Sequence, residues 1–343
     1  MKKIVVCFLS LLWFASRVAA ADPAITSYSL PYPKVGSIER LDPALDAVLS
    51  PDAQIEKLAE GFSWAEGPVW INSTDMLLFS DVPNNRVYRW KEGAGINVFV
   101  EPSGFTGEKY EGTEQGSNGL TLDRNGQLAL CQHGDRRVAI LESDAKSFRT
   151  LVDRWEGKRF NSPNDLCFDR AGNLFFTDPP YGLGPNTKPD TDFSGIYRLS
   201  SDGKLTLLSR ELERPNGIAL SADERTLYVA NSHGPRPIIM AFALAEDGTA
   251  GPGKVFWDST ELVKRTKRPG ALDGLKVDRF GNLWATGPGG VLILNSAGKH
   301  LGTILTGDLT ANCAFGDPSG SVLYMTANKA LLRIQTKASD AAR

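Results

Sequence analysis

The stretch NDLCFDRAGNLFFTD, residues 164–178, decides the fold because the chain repeats its layout. A polar side chain is followed by an apolar run, an Asp-x-x-Gly turn and a second apolar run. Asp opens and Gly closes the turn, as in a tight hairpin whose Gly takes the positive φ angle. The stretch therefore predicts two antiparallel strands joined by a short turn.

Five further segments share this layout. Their first polar positions lie between 39 residues apart (273 to 312) and 57 residues apart (216 to 273). Two more strand patterns follow most of these pairs, for example SGIYRLSS and KLTLLSREL. Four strands per repeat predict an all-β, six-bladed β-propeller. The six segments begin at Ala65, Asn118, Asn164, Asn216, Asp273 and Asn312.

The last repeat lacks a fourth strand, whereas the pattern IEKLAEGFSW, residues 55–64, precedes the first repeat and belongs to no blade. We expect this N-terminal strand to complete the sixth blade and close the ring, which removes open sheet edges. An α/β domain would require amphipathic helices between the strands, and a β-sandwich would not require six copies of one layout.

The domain organisation follows from these assignments. Residues 1–20, MKKIVVCFLSLLWFASRVAA, have the charged start, apolar run and small residues of a secretory signal peptide. An uncleaved anchor is the alternative, but a span needs about 20 apolar residues. We predict a signal peptide (1–20), an N-terminal extension on the rim (21–53), the propeller (54–335) and a polar tail (336–343). We therefore expect a periplasmic or secreted protein that is not associated with the membrane after the signal is cleaved.

Composition limits the partners. The chain has 343 residues, of which 41% are hydrophobic, and a net charge of -2, so it can bury a large core. Lys and Arg are scattered, which excludes a basic stripe for nucleic acid. We expect a monomer or a weak dimer. Removal of Cys7 with the signal leaves Cys131, Cys167 and Cys313, an odd number, so at least one is unpaired within the chain.

One repeat position carries the predicted chemistry. The inner strand of each blade lines the channel, so its first polar residue should form a ring with its five counterparts. Carboxylate and amide oxygens suit a hard cation such as Ca²⁺. Asn-Gly and Asp-Gly are also common turn dipeptides, but here the hairpin turn comes later in each repeat. The ring consists of Glu66, Asn118, Asn164, Asn216, Asp273 and Asn312.

The loops that leave the second strands should return to the face that carries this ring. They would bring His133, Tyr181 and His233 toward the cation, whereas His300 lies between outer strands and has no assigned role. Strand alternation would turn Asp165 away from the ring, so we expect it to support the site without binding the ion. The same loops carry Arg136, Arg137 and Arg236.

Five motifs in order, EGPVW, CQHGDRRV, FNSPNDLCFDRAGNLFFTDPPYG, RPNGIAL and LDGLKVDRFGNLWAT, resemble the senescence-marker-protein/gluconolactonase/luciferin-regenerating-enzyme family, and most closely its bacterial gluconolactonases. The resemblance covers residues 55–326. It implies a six-bladed propeller that holds a divalent cation, usually calcium, and hydrolyses sugar lactones. Its implied metal ligands fall on Glu66, Asn164, Asn216 and Asp273. It also implies substrate contacts at Arg159 and Asn161, and we expect Asn118, His133, Tyr181 and His233 to contribute as well.

The expected mechanism pairs a Lewis-acidic cation with a carboxylate base. Asp273 is the predicted catalytic residue, as both ligand and base, with His133 acting through a water as the second choice. Ca²⁺ is the expected ion, and Zn²⁺, Mn²⁺ or Mg²⁺ are alternatives. Two other functions stay open at this point, a calcium-dependent phosphotriesterase or arylesterase and a propeller that binds ligands without catalysis.

Overall fold

Six antiparallel sheets surround a central channel in the computed structural model, which describes residues 24–342. Each sheet is a blade, and the predicted six-bladed β-propeller is confirmed. The predicted signal peptide, residues 1–20, lies outside the described residues. None of the helices in the described part of the chain is long and apolar enough to cross a bilayer.

The described chain begins with short elements that lead into the first blade. They are β1 (Thr26–Ser27), β2 (Lys34–Val35), β3 (Ser37–Arg40), a 3-10 helix (Pro43–Ala47) and β4 (Ile55–Glu60). The first blade consists of β5 (Ala65–Ile71), β6 (Met76–Asp81), β7 (Arg86–Lys91) and β8 (Gly95–Val100). The second blade consists of β9 (Ser117–Leu122), β10 (Leu128–Gln132), β11 (Arg137–Leu141) and β12 (Phe148–Val152), followed by a hairpin of β13 (Arg154–Trp155) and β14 (Lys158–Arg159).

The next two blades repeat this order. The third consists of β15 (Leu166–Phe168), β16 (Leu174–Asp178), β17 (Gly195–Leu199) and β18 (Leu205–Ser209). The fourth consists of β19 (Pro215–Leu220), β20 (Thr226–Asn231), β21 (Ile238–Ala243) and β22 (Lys254–Asp258), and the helix α1 (Thr260–Thr266) follows it.

The last two blades complete the ring. The fifth consists of β23 (Leu275–Val277), β24 (Leu283–Gly287), β25 (Gly290–Leu294) and β26 (His300–Leu305). The sixth takes β27 (Asn312–Gly316), β28 (Val322–Ala327) and β29 (Ala330–Gln335) from the end of the chain and β4 from its beginning. Strand β4 pairs with β29 in antiparallel register, with Ile55 opposite Ile334, so the predicted closure by the N-terminal strand is confirmed.

The turns between first and second strands form as their sequences predict. In the third blade the Gly172 amide donates to the Asp169 carbonyl at 3.0 Å, and Gly172 has φ +85°. The Asp169 carboxylate accepts the amide of Asn173 at 2.8 Å. The acid thus fixes the turn through its side chain, and the glycine supplies a conformation that side chains disfavour.

The N-terminal extension adds strands to the outer edges of two blades. Strands β1 and β2 pair with β4, and β3 pairs with β26 as a fifth strand of the fifth blade. Arg268 donates both terminal nitrogens to the Glu39 carboxylate, at 2.8 and 2.9 Å. The pairing of these added strands with β4 and β26 covers backbone groups that would otherwise form an open sheet edge.

The hydrophobic core lies between the blades. Each of the main apolar clusters among the described residues joins two neighbouring blades. Between the first and the sixth blade, for example, the rings of Trp70 and Tyr324 stack at a centroid distance of 5.5 Å. Cys131, Cys167 and Cys313 are all free thiols, which confirms that at least one is unpaired.

Candidate active site

The six predicted ring positions lie together at one mouth of the channel. Five of them are buried, and Asp273 keeps partial exposure. The Asn216 amide hydrogen-bonds the Asp273 carboxylate, and the Asn312 amide hydrogen-bonds Glu66. Hydrogen bonds therefore join ring residues of neighbouring blades, the fourth with the fifth and the sixth with the first.

Close backbone contacts set the spacing of this ring. The amide of Gly119 donates to the Asn164 carbonyl at 2.8 Å, and the amide of Gly217 donates to the Asp273 carbonyl at 3.1 Å. A Cβ atom on Gly217 would lie 2.0 Å from that carbonyl oxygen. Glycine after the ring position therefore lets neighbouring inner strands touch, which brings the six ring residues close to the axis.

Hydroxyl groups on the second strands reinforce these contacts. The Ser80 hydroxyl donates to the carbonyl of Asn118 in the next blade at 2.9 Å. The Thr177 hydroxyl does the same to the Asn216 carbonyl at 2.7 Å. The first and the third blade thus each hold the ring residue of the next blade by a buried hydrogen bond.

Three oxygens of the ring have no hydrogen-bond partner although they are buried. They are Oδ1 of Asn118, Oδ1 of Asn164 and Oδ1 of Asp273. A buried polar atom without a partner costs about 1–3 kcal/mol, so three in one place call for a ligand. The atoms left over are all acceptors, as a cation site requires.

The carboxylates of the site carry an excess of negative charge. Burial raises the pKa of Glu66, and the charge of Asp165 raises it further. Burial also raises the pKa of Asp273 well above its usual range, with added contributions from Glu66 and Asp165. Like charges held together in a buried site disfavour ionisation, and a cation would relieve this repulsion.

The donor set fits a divalent cation that prefers oxygen. Glu66 and Asp273 supply two carboxylates, and Asn164 and Asn216 supply amides. Among residues 24–342 no cluster of three or more His, Cys, Asp or Glu side chains has the geometry of a metal site. The candidate ligands mix two carboxylates with amides, which disfavours thiophilic ions and is compatible with Ca²⁺.

A second polar layer lies directly below the ring. The Asp165 carboxylate is buried in the channel, where it accepts the Asn312 amide at 3.4 Å and the Leu166 amide at 2.9 Å. The expectation that Asp165 turns away from the ring is therefore wrong, because its carboxylate contacts the ring residue Asn312. Asn164 and Asp165 precede β15, so strand alternation does not govern them, and Gly119 opposite leaves room for the carboxylate.

Lys276, which we did not predict as a functional residue, also belongs to this lower layer. Burial lowers the pKa of its ammonium, but Asp165 and other neighbouring acidic groups more than offset this, so the pKa is raised. The Lys276 ammonium donates to the Leu275 carbonyl at 2.9 Å. The sequence does mark Lys276 as unusual, because the same position of the repeat holds the uncharged residues Thr121 and Ala219 in other blades.

Tyr181 and His233 lie on the loops at the channel mouth. The Tyr181 hydroxyl is buried and has no aligned hydrogen-bond partner, although Asn216 and Asp273 are its neighbours. Burial raises the pKa of Tyr181 to about 12, so the hydroxyl keeps its proton. The His233 Nδ1 lies 3.8 Å from the Glu213 carboxylate, and its side chain is 31% exposed.

His133 is fully buried beside the ring. Its Nε2 lies 3.5 Å from the Asn164 amide nitrogen, and its Nδ1 lies 3.3 Å from Oε2 of Glu114. We did not predict Glu114, because it belongs to the irregular connection between β8 and β9 and follows no repeat pattern. Only the length of that connection marked it as unusual.

Arg159 and Asn161 lie behind the loop of His133. The Arg159 guanidinium donates to the Asp135 carbonyl at 2.8 Å. The Asn161 amide donates to the carbonyls of Asp178 and Phe193, at 3.1 and 3.0 Å. In this structure these groups, which we predicted to bind substrate, are engaged in hydrogen bonds with the protein backbone.

Two of the loop arginines, Arg136 and Arg236, form hydrogen bonds with other parts of the protein. Arg136 donates to the Phe160 carbonyl at 2.6 Å and to Asp190 at 2.8 Å. Arg236 donates to the Glu211 carbonyl at 3.0 Å. They secure the loops that carry the site.

The fold and the site together define a six-bladed propeller with an oxygen-lined channel mouth. Residues 64–329 match the family described as the SMP-30/Gluconolactonase/LRE-like region, and the chain belongs to this family. This chain is 37% identical over 310 residues to the gluconolactonase of Zymomonas mobilis subsp. mobilis. The match covers 88% of this chain and 87% of that protein.

Solved structures show the same architecture. The structure of XC5397 from Xanthomonas campestris, described as a gluconolactonase, superposes with a TM-score of 0.79 at 31% identity and covers 91% of this chain and 100% of that one. A regucalcin from Agrobacterium tumefaciens, described as a calcium-binding protein, gives a TM-score of 0.64 at 20% identity over 82% of this chain and 94% of that one. At this identity the second likeness shows the fold alone.

Proposed function

We propose that this protein is a sugar-lactone hydrolase that requires a divalent cation, Ca²⁺ first among the candidates. The single observation that carries the proposal is the set of three buried, unpartnered oxygens on Asn118, Asn164 and Asp273. The similarity to gluconolactonases supports the lactone as substrate. Glu66, Asn164, Asn216 and Asp273 would hold the ion.

The reaction opens a cyclic ester with water. When bound, the cation supplies Lewis-acid polarisation of the lactone carbonyl. The Asp273 carboxylate accepts a proton from the attacking water as the water oxygen bonds to the carbonyl carbon. The ring C–O bond then breaks, and the proton held by Asp273 passes to the departing ring oxygen, which gives a hydroxy acid. Asp273 suits this role because it is the partly exposed member of the ring, where a water can reach its carboxylate.

The substrate would contact the loops above the ring. The Tyr181 hydroxyl is protonated, and Ser232 and Asn216 interact with its oxygen, so its own proton can be donated to an oxygen of the sugar. His233 is partly exposed at the same mouth and can bind a second hydroxyl. The Asn118 side chain can face either the ion or the substrate.

A panel of aldonolactones tests the activity. Hydrolysis releases an acid, so a pH indicator reports turnover, and the assay is run with added Ca²⁺, with EDTA, and after Ca²⁺ is restored. We expect loss with EDTA and recovery with Ca²⁺. Turnover of a phosphotriester or aryl ester in preference to every lactone would contradict the substrate class, and lactone turnover that EDTA leaves unchanged would contradict the cation requirement.

We also propose that residues 1–20 direct export to the periplasm or the medium. Mass spectrometry of the protein recovered from its native host would show an N terminus at Ala21. An intact N terminus in the cytoplasmic fraction would contradict this.

A further inference from the structure

A buried imidazole separates an acidic loop residue from a ring residue. The His133 side chain has no exposed surface, and its Nδ1 approaches Glu114 at 3.3 Å. The approach is close but poorly aligned for a hydrogen bond. Glu114 is 35% exposed, so a small rotation of its side chain is enough to align the pair. The other imidazole nitrogen, Nε2, faces the Asn164 amide nitrogen at 3.5 Å.

The surroundings hold this arrangement in place. The His133 amide donates to the Gly116 carbonyl at 3.1 Å. The single proton of the Tyr110 hydroxyl is shared between the carbonyl of Glu114, at 3.0 Å, and the carbonyl of Gly182. Gly182 packs closely against His133, because a Cβ atom added to this glycine would lie 2.6 Å from the His133 Cβ. The backbones of His133 and Glu114 are thus held by contacts that do not involve the ring of oxygen ligands, and the Glu114 side chain stays free to align with the imidazole.

The proton on the imidazole determines how Asn164 is oriented. If the Nδ1 proton points at the Glu114 carboxylate, Nε2 has no proton and can only accept a hydrogen bond, which the NH₂ group of Asn164 donates. The amide oxygen then points into the channel, where it has no protein partner. If the proton sat on Nε2, the Asn164 oxygen would turn toward it, and the amide NH₂ group would face the cation.

We propose that Glu114 and His133 are positioning residues that orient the Asn164 amide so that its oxygen binds the cation. The inference rests on the proposed function for the identity of the ligands. It concerns a tautomer and an amide orientation, so no bond is made or broken. Partners behind the ligands commonly change metal affinity by about 10–100-fold.

Nuclear magnetic resonance of the imidazole nitrogens tests the tautomer directly. The chain has 3 histidines, so ¹⁵N-histidine labelling and a His133→Gln spectrum assign the signals. In the wild-type protein we expect His133 to carry its proton on Nδ1, and in Glu114→Gln we expect the Nε2–H form to appear. A wild-type spectrum with the proton on Nε2 would overturn the proposal.

Calcium titration calorimetry tests the consequence. Glu114→Gln should bind Ca²⁺ about tenfold more weakly. Glu108→Gln, an exposed residue of the same connection, is the matched control and should bind like wild type. His133→Gln keeps the Glu114 charge and should also weaken binding. Wild-type affinity in His133→Gln would mean that Glu114 acts by charge alone and would refute the orientation role.

The two proposals can fail separately. If the tautomer and calcium results are as expected but no lactone is hydrolysed, the proposed reaction is wrong and the positioning role stands. If the wild-type protein hydrolyses lactones with Ca²⁺ while Glu114→Gln leaves both tautomer and affinity unchanged, the positioning role is wrong. Thermal melting of each variant confirms that folding is intact.

Discussion

The mouth of the channel and the layer directly below it are built from similar residues but differ in how those residues are paired. At the mouth, oxygens of Asn118, Asn164 and Asp273 are buried without partners. One residue deeper, Asp165 accepts two amide groups, and the Lys276 ammonium lowers its pKa against the effect of burial.

This difference in pairing indicates that the mouth is suited to binding a ligand, whereas the lower layer stabilises the structure. Polar groups that satisfy one another stabilise a single arrangement, whereas unsatisfied groups of one sign leave a place for a ligand. The protein keeps its positive charge in the lower layer, where it compensates Asp165. The mouth is left with excess acceptors for a cation.

The largest expected effect comes from removing the base at the mouth. Asp273→Asn keeps an oxygen ligand but cannot accept a proton, so we expect kcat for lactone hydrolysis to fall by about 10²–10⁴-fold. Steady-state kinetics at saturating Ca²⁺ measures this. Asp192→Asn, an exposed carboxylate outside the channel, is the control and should be fully active. Near wild-type turnover by a calcium-loaded Asp273→Asn would assign the base elsewhere.

The second effect is the pH dependence of cation binding. The pKa values of Glu66 and Asp273 are raised in the cation-free protein, so these groups hold protons that Ca²⁺ must displace. Affinity should increase as pH rises from ~6 to ~8, by at most about tenfold per unit for each proton released. Calorimetry in buffers of different ionisation enthalpy counts the protons.

The same shifts affect stability with the opposite sign in the cation-free protein. The folded state retains protons above the unfolded pKa of about 4. Without Ca²⁺, the free energy of unfolding should therefore decline as the pH rises from about 4 toward the raised pKa values of the folded protein. Bound Ca²⁺ should reverse this decline. A Glu66→Gln variant should show a shallower slope in both measurements. Affinity that is independent of pH would show that the mouth is already ionised.

The third effect tests the contact between the two regions. A Cβ at Gly119 would lie 2.7 Å from both the Asn164 carbonyl oxygen and Oδ1 of Asp165. Overpacking of this kind should make Gly119→Ala less stable by about 2 kcal/mol. Gly234→Ala is the control, because no atom lies within 4 Å of its added Cβ. Equal stability of the two variants in urea denaturation would contradict the packing argument.

The smallest effect distinguishes the lower layer from the mouth. Lys276→Met removes the compensating charge, and we expect a loss of about 1 kcal/mol in the cation-free protein. Calcium affinity should stay the same or rise, because a positive charge near the ion is gone. Lys188→Met, at an exposed position, controls for the substitution. A parallel fall in stability and affinity would mean that the two layers form one unit.

The repeats made most of the fold predictable. Six copies of one pattern predicted the blades, and the missing strand after β29 predicted the pairing with β4. The ring positions followed from the same register. These features depend on local patterns and on turn residues such as Asp169 and Gly172, which a sequence displays directly.

Other features depend on contacts that no local pattern encodes. The direction of Asp165 was mispredicted because it depends on space left by Gly119 in another blade. Glu114 was missed because an irregular connection brings it to His133. Which substrate contacts form above the ring depends on the same kind of loop placement.

The pairing of β4 with β29 has a consequence for the synthesis of the protein. Glu56 and Arg333 form a hydrogen-bonded ion pair across 277 residues of chain, so the sixth blade exists only when the last strand has been made. A nascent chain can form individual blades, but the oxygen ring at the mouth needs all six. The ribosome therefore has to synthesise almost the entire chain before the ring can close, and a chain cut short before β29 would lack the strand that pairs with β4.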